Sequence, residues 1–229
     1  MSKVGFRIFT HVDRPDPALV ERFRGIPSSN INDMMNRLYN TDGTIRSINH
    51  RPLLGTAITV RAPLGDNMMF HRAMDLAQPG DVLVVDGGGC IERSLAGEIM
   101  FTYAQKKGLA GIVVNGAVRD LDGIMKLDIP IYAKAITPQG PYKNGPGEIN
   151  VPVCCGGLVV MPGDIIVGDM DGIVAIRKDD APLIIDEAIE KLAAETRKLD
   201  GYRSEGIDEE FHRENWTRLT EKLGVQYME

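Results

Sequence analysis

Apolar and polar positions follow two rhythms along this chain. Short β-branched runs recur between turn residues: LLGTAITV over Leu53–Val60, DVLVV over Asp81–Val85, GIVV over Gly111–Val114, and Ile129–Ala133. Each is bounded by Gly, Pro or Asp, as buried strands are. Between them the apolar residues fall at helical spacing. Pro17 followed by Ala18, Leu19, Val20 and Phe23 predicts a short helix stopped by Gly25 and Pro27. Ser28 and Ser29 stand where they can cap a second, through Ile31, Met34, Met35 and Leu38. Gly65-Asp66-Asn67 opens a Met-rich helix to Leu76, and Glu92–Lys107 reads as a longer helix with Leu95, Ala96, Ile99, Met100 and Tyr103 on one stripe. A strand, a crossover helix and a second apolar strand predict a right-handed βαβ unit, and Leu121–Leu127 repeats the pattern.

Beyond Pro138 the rhythm changes. Gln139–Pro152 reads as a loop rich in Gly and Pro, followed by short strands at Leu158–Met161, Ile165–Val167 and Ile173–Ile176. Asp180 can cap a long helix through Ile184, Ile185, Ile189, Leu192 and Leu199. Asp208–Leu223 spaces Phe211, Trp216, Leu219 and Leu223 as a narrow stripe on a charged helix, too thinly apolar to fold unaided. The pattern therefore predicts the α/β class. It divides into an α/β core domain over residues 1–178 and a helical arm over 179–229 that docks on its own core or on a neighbouring subunit.

Composition narrows the partners. The 229 residues carry 26 basic and 32 acidic side chains, a net charge of −6, which argues against a phosphate backbone as the main partner. No apolar run reaches the ~20 residues that span a bilayer, and MSKVGFRIFT lacks the apolar core of a signal peptide, so a cytoplasmic location is expected. Cys90, Cys154 and Cys155 make a poor disulfide framework and are expected to be reduced. The four histidines are scattered, so any metal bound here should be a hard cation held by carboxylates and water.

Ligands of α/β folds collect at the carboxyl ends of parallel strands, which singles out two loops. Asp86–Cys90 contains three consecutive glycines, whose backbone could approach an anion or simply make a tight turn. In Gly116-Ala117-Val118-Arg119-Asp120, a guanidinium fork stands beside a carboxylate, suited to a 2-oxo acid and a hard cation respectively. A surface ion pair between Arg119 and Asp120 would explain the same dipeptide.

Longer blocks carry a resemblance. Gly65-Asp66-Asn67, Asp75 through Asp81 (DLAQPGD), Val84 through Gly89 (VVDGGG), Gly116 through Asp120 (GAVRD), Pro146 through Val153 (PGEINVPV), and Pro162-Gly163-Asp164 with Gly168-Asp169 stand in succession. Together they resemble the 4-hydroxy-4-methyl-2-oxoglutarate / 4-carboxy-4-hydroxy-2-oxoadipate aldolases, relatives of the regulator of ribonuclease E activity A. The likeness runs from about Ala18 to Lys198. It implies a layered α/β/α sandwich, swivelling-domain-like, with a mixed and partly parallel sheet and a C-terminal helical arm.

The resemblance also implies roles. The family's pyruvyl-contacting Arg falls on Arg119, and its cation-coordinating Asp on Asp120. The amides that hold the substrate carboxylate fall on Gly97, Glu98, Ile99 and Met100. The acid that helps hold metal-bound water falls on Glu98, one methylene longer than the commoner Asp. Other branches carry an acid where this chain has Gly123. A Glu supplied by a neighbouring subunit's C-terminal helix falls on Glu195. The implied cofactor is a divalent cation, Mg²⁺ or Mn²⁺, and the implied assembly a homotrimer or homohexamer without nucleic acid or membrane.

The implied reaction is class II cleavage of a 4-hydroxy-2-oxo diacid to pyruvate and a second oxo acid, as in aromatic compound degradation. Oxaloacetate decarboxylation is expected as a side activity. Arg61, Arg72 and Lys143 are candidates for a distal carboxylate. Two competitors remain: a Schiff-base aldolase using Lys134, and a non-catalytic regulator that binds a ribonuclease. The regulator branch lacks the Asp after the Arg, so Asp120 favours the enzyme. A methyltransferase reading finds no supporting glycine-rich loop.

Overall fold

The computed structural model describes residues 3–204 and 206–228. It divides into two compact units, Met1–Ala188 and Ile189–Glu229. In the first, two short helices, α1 (Pro17–Glu21) and α2 (Ser28–Met34), precede the small strand β1 (Arg46–Ser47) and the long strand β2 (Leu53–Arg61). Three crossovers follow. Helix α3 (Met68–Leu76) leads to β3 (Asp81–Ala96), α4 (Glu98–Lys106) to β4 (Gly111–Val118), and α5 (Leu121–Ile124) to β5 (Ile131–Ile136). Then come β6 (Glu148–Ile149), a hairpin of β7 (Val153–Cys155) and β8 (Leu158–Val160), and the pair β9 (Ile165–Gly168) and β10 (Ile173–Ile176).

The sheet runs β1-β5-β4-β3-β2-β9-β10. Its centre, β2 to β5, is parallel, as βαβ crossovers require, while β1, β9 and β10 join antiparallel at the edges. The α/β class expected from the pattern and the mixed, partly parallel sheet implied by the resemblance are thus present. Both faces are buried, which is why the central strands read as continuous apolar runs. Leu83, Val85, Ile112, Val114 and Ile131 face α3 and α4 with Phe70, Met74 and Phe101. The alternate residues Val82, Val84, Val113 and Tyr132 pack with Val153, Cys155, Leu158 and Val160 of the β7–β8 hairpin.

Four details depart from the pattern. Glu92–Ala96 is not helical: β3 continues through it, and Ser94 and Ala96 pair with Ala117 and Val118 across bulged register shifts. The apolar spacing of Leu95 and Ala96 is real, but their burial comes from the sheet, and the helix starts only at Glu98. Gln139–Pro152 is not wholly loop, because Glu148 and Ile149 pair with Arg61 and Val60. Helix α2 stops at Met34, short of Leu38, and Ser28 caps nothing; its Oγ donates to Asp169 at 2.7 Å. Strand β5 starts at Ile131 and runs on to Ile136.

The long helix α6 (Ala181–Ser204) buries Ala181, Ile184, Ile185 and Ala188 in its first turns. In the second unit α7 (Glu209–Lys222) is capped by Asp208, whose carboxylate accepts from the Phe211 amide at 2.9 Å. No residue of α7 is buried. No described helix is long and apolar enough to cross a membrane.

Phe101 is fully buried where α4 meets the sheet. Phe101→Ala is therefore expected to cost about 3–5 kcal/mol, read as a lowered urea midpoint with unchanged slope.

Candidate active site

Strands β3 and β4 end together, and a backbone hydrogen bond ties the residue after β4 to the end of β3. The Arg119 amide donates to Ala96 O at 3.0 Å. Asp120 then adopts a left-handed conformation, φ 67° and ψ 48°, which costs roughly 1–2 kcal/mol and which Asp tolerates better than most residues. Its carboxylate swings back across the strand ends, where Oδ2 accepts from the Glu98 amide at 3.1 Å. Arg119 Nε lies 3.6 Å from the same oxygen, too far for a good hydrogen bond. The Arg119 side chain is 42% exposed, and its guanidinium donates no hydrogen bond among the described residues. Its donors are left available for an anion.

The close approach leaves no room for side chains. A Cβ on Gly97 would lie 2.2 Å from Asp120 Oδ2 and 2.9 Å from Arg119 Cγ. One on Gly123 would lie 2.2 Å from Glu98 Oε2, so the longer Glu98 side chain occupies the space above that glycine. One on Gly140 would meet Arg119 Nη1 at 3.0 Å.

Gly97, Arg119 and Asp120 border a cavity of ≈ 150 Å³. Ala96, Gly97, Ile99 and Met100 line it from the end of β3 and the start of α4, Arg119 and Asp120 from the end of β4. Asn67 and His71 line it from the start of α3, Pro141 and Lys143 from the following loop. That loop is tightly tied. Ser94 N and Oγ both donate to Gln139 O at 2.8 Å, and Arg93 Nη1 donates to Gly140 O at 2.8 Å. The Arg93 guanidinium also stacks 4.1 Å from the Tyr142 ring centroid. Asp66, buried, accepts from the Asn144 and Gly145 amides at 2.6 and 3.0 Å. Lys143 is presented to the cavity by this frame.

Asn67 Nδ2 donates to Leu95 O at 2.7 Å, whereas its buried Oδ1 has no partner. Burial and the nearby Lys143 charge push the His71 imidazole below its ordinary value, with Asp75 opposing them. Larger hollows of ≈ 520 and ≈ 500 Å³ lie elsewhere. The first surrounds Arg14, whose guanidinium is already held by Asp81 at 2.9 and 2.8 Å. The second has a mainly apolar lining. Of these three cavities, the smaller one has uncommitted polar groups, Asn67 Oδ1 and the Arg119 guanidinium.

Of the residues singled out in the sequence, Gly97, Ile99, Met100, Arg119 and Asp120 share this cavity. Glu98 stands at its edge through its amide, with its side chain exposed against Gly123. Glu195 belongs to the second unit, on α6, and pairs with Lys191 at 2.9 Å. Arg61 donates to Pro152 O and Arg72 to Asp75, so among the three cations suggested for a distal carboxylate only Lys143 lines the cavity. Lys134 lies outside the lining, 3.9 Å from Asp42. Asn67 and His71 were missed; their spacing of four on one helix face was the available signal. All three cysteines are free.

The sequence profile described as RraA-like, Aldolase/RraA, matches residues 28–175. The chain belongs to the RraA-like family. A Halalkalibacterium halodurans relative, named provisionally as a 4-hydroxy-4-methyl-2-oxoglutarate aldolase, is 39% identical over 175 residues, 76% of this chain and 83% of that one. A Streptomyces coelicolor member of the RNase ES inhibitor RraA protein family superimposes with a TM-score of 0.72 at 28% identity, covering 82% of this chain and 100% of that one. The RNA-processing inhibitor RraA from Thermus thermophilis gives a TM-score of 0.61 at 32% identity, over 66% of this chain and 92% of its own. Aldolase names and inhibitor names thus both attach to RraA-like relatives.

The glycine contacts give a stability test. Gly97→Ala is expected to cost about 1–3 kcal/mol, because the added methyl must displace Asp120 or Arg119. Gly201→Ala, in open space on α6, is expected to gain about 0.5–1 kcal/mol. Urea unfolding of the two variants checks both signs.

Proposed function

We propose that this RraA-like protein is a divalent-cation-dependent pyruvate aldolase that cleaves a 4-hydroxy-2-oxo diacid to pyruvate and a second oxo acid. 4-Hydroxy-4-methyl-2-oxoglutarate and 4-carboxy-4-hydroxy-2-oxoadipate are the substrates the resemblance favours. The observation that carries this reading is the Arg119 fork, free of acceptors and set beside the Asp120 carboxylate at the mouth of a small cavity.

The donor set suits a hard cation that keeps most of its waters. No group of three or more His, Cys, Asp or Glu able to hold a metal occurs among the described residues, but Mg²⁺ commonly takes only one or two protein carboxylates. Asp120 Oδ2 is engaged by an amide, and the carboxylate remains 43% exposed. Asp120 would hold the cation, with Glu98 and Glu195 of the partner subunit reaching it through water. When bound, the cation would supply Lewis-acid polarisation of the 2-oxo group.

The chain's own groups do the rest. Arg119 binds the pyruvyl end and stabilises the negative charge that develops on the 2-oxo oxygen as the C3–C4 bond breaks. The amides of Gly97, Ile99 and Met100 would meet the carboxylate, since the Glu98 amide is already given to Asp120. Water oriented by Glu98 and Glu195 takes the C4 hydroxyl proton. Lys143 meets the distal carboxylate. Oxaloacetate loses CO₂ to give the same enolate and is expected to be a poorer substrate.

A coupled pyruvate-release assay with Mg²⁺ or Mn²⁺, across several 4-hydroxy-2-oxo diacids and oxaloacetate, tests the reading. Asp120→Ala and Arg119→Ala are each expected to lower kcat by at least ~10²–10³ with the fold intact. EDTA should abolish turnover; a borohydride-trapped Lys134 adduct with turnover surviving chelation would overturn the metal reading. No release from any substrate would favour the non-catalytic regulator. If the partner's helix completes the site in a trimer or hexamer, Arg119→Ala and Glu195→Ala protomers, each inactive, should regain part of the activity when co-assembled.

A further inference from the structure

Cleavage leaves an enolate whose C3 must gain a proton, and none of the groups assigned above supplies it. We infer that His71 is the catalytic residue that exchanges this proton with C3 of the pyruvyl unit, an assignment that rests on the aldolase reading. Asn67 and His71 are four residues apart at the start of α3, so both fall on the helix face that lines the cavity with Arg119. His71 and Arg119 line the same small cavity of ≈ 150 Å³. The His71 imidazole has no hydrogen-bond partner among the described residues, so both its nitrogens are uncommitted. Among the lining side chains it alone both takes and gives a proton near neutrality.

The alternatives are engaged elsewhere. Asp120 accepts the Glu98 amide, and the Glu98 side chain lies against Gly123, outside the lining. The charged groups around His71 are Asp75 on its own helix, Lys143 from the loop, and Arg119 with Asp120 across the lining. Tyr103 of α4 donates to Asp75 at 3.3 Å. Burial and Lys143 favour the neutral imidazole, the form needed to accept a proton.

In cleavage, the C3–C4 bonding pair becomes the C2=C3 bond of the enolate, and the C2 carbonyl pair moves onto oxygen. The C4 O–H pair becomes the second C4–O bond, and the proton taken by the water that Glu98 and Glu195 orient passes to the neutral imidazole. The imidazolium then donates it to C3 and the C2 carbonyl re-forms. The hydroxyl proton ends on carbon, and His71 returns to its neutral form. In reverse, the imidazole lone pair takes a proton from the methyl of pyruvate, the C–H pair forms the enolate double bond, and solvent exchanges the proton on nitrogen.

That reverse half-reaction is the test. Wild-type protein with Mg²⁺ and pyruvate in D₂O is followed by proton NMR for loss of the methyl signal. His71→Asn and His71→Gln are expected to slow exchange ~10²-fold or more, while KM for pyruvate changes less than about threefold. The rise of the wild-type exchange rate with pH through the imidazole titration should vanish in both variants. The His71 imidazole C2–H resonance, assigned by its absence in His71→Asn, should shift when pyruvate binds. Wild-type exchange rates and pH dependence in either folded variant, or an unmoved resonance, would overturn the assignment. If the wild type releases pyruvate from diacids while the variants exchange normally, only His71 falls. If the wild type releases none, the aldolase reading falls and takes this assignment with it.

Discussion

The site depends on a single constraint: the chain must reverse at Asp120 while the ends of β3 and β4 stay locked together. The left-handed backbone at Asp120 is unfavourable by itself, and two bonds hold it, Arg119 N to Ala96 O and Glu98 N to Asp120 Oδ2. Both run between the segment after β4 and the segment after β3. The turn therefore cannot relax without loosening the start of α4, whose Gly97 and Ile99 face the cavity. Orientation of the guanidinium, the carboxylate and the α4 amides is one cooperative arrangement.

Behind this turn stands the parallel sheet. Residues on both faces of β3 and β4 are buried, so a register slip would exchange two apolar sets and empty neither solvent face. Packing shape has to set the register instead. Gly111 has Leu53 Cδ1 within 2.2 Å of where its Cβ would lie, and Gly55 has Gly80 O within 2.5 Å. Such tight places fix the strands and, through them, where their carboxyl ends stop.

Much of this was legible in the sequence. The βαβ rhythm gave the parallel centre, because continuous apolar runs mark strands buried on two sides. The end of β3 was misread: Leu95, Ala96, Ile99 and Met100 keep a helical spacing across a junction where the first pair belongs to the sheet and the second to α4. Spacing alone cannot detect a bulged strand that hands over to a helix through one glycine. The strands β1 and β6 are two residues each, below the length at which a pattern exists. Arg119 and Asp120 read equally well as a surface pair, and only their neighbours in longer motifs raised them. Asn67 and His71 carried only their spacing of four as a signal, and the framed position of Lys143 required tertiary contacts, since Asp66, Arg93 and Ser94 that build the loop are distant in sequence.

The glycines around the turn also decide where the cavity can change. Gly97 sits in the lining against Asp120 and Arg119 with no space for a methyl group, so the wall at that point is closed to a larger side chain. Freedom lies on the opposite kind of surface: Ile99, 84% exposed at the rim, and Pro141 and Lys143 on a loop whose backbone is held independently of their side chains. A library aimed at altering what the cavity accepts would place its diversity at those three positions and leave Gly97 untouched. The cavity thus has a fixed wall at Gly97 and an adjustable one at Ile99, Pro141 and Lys143.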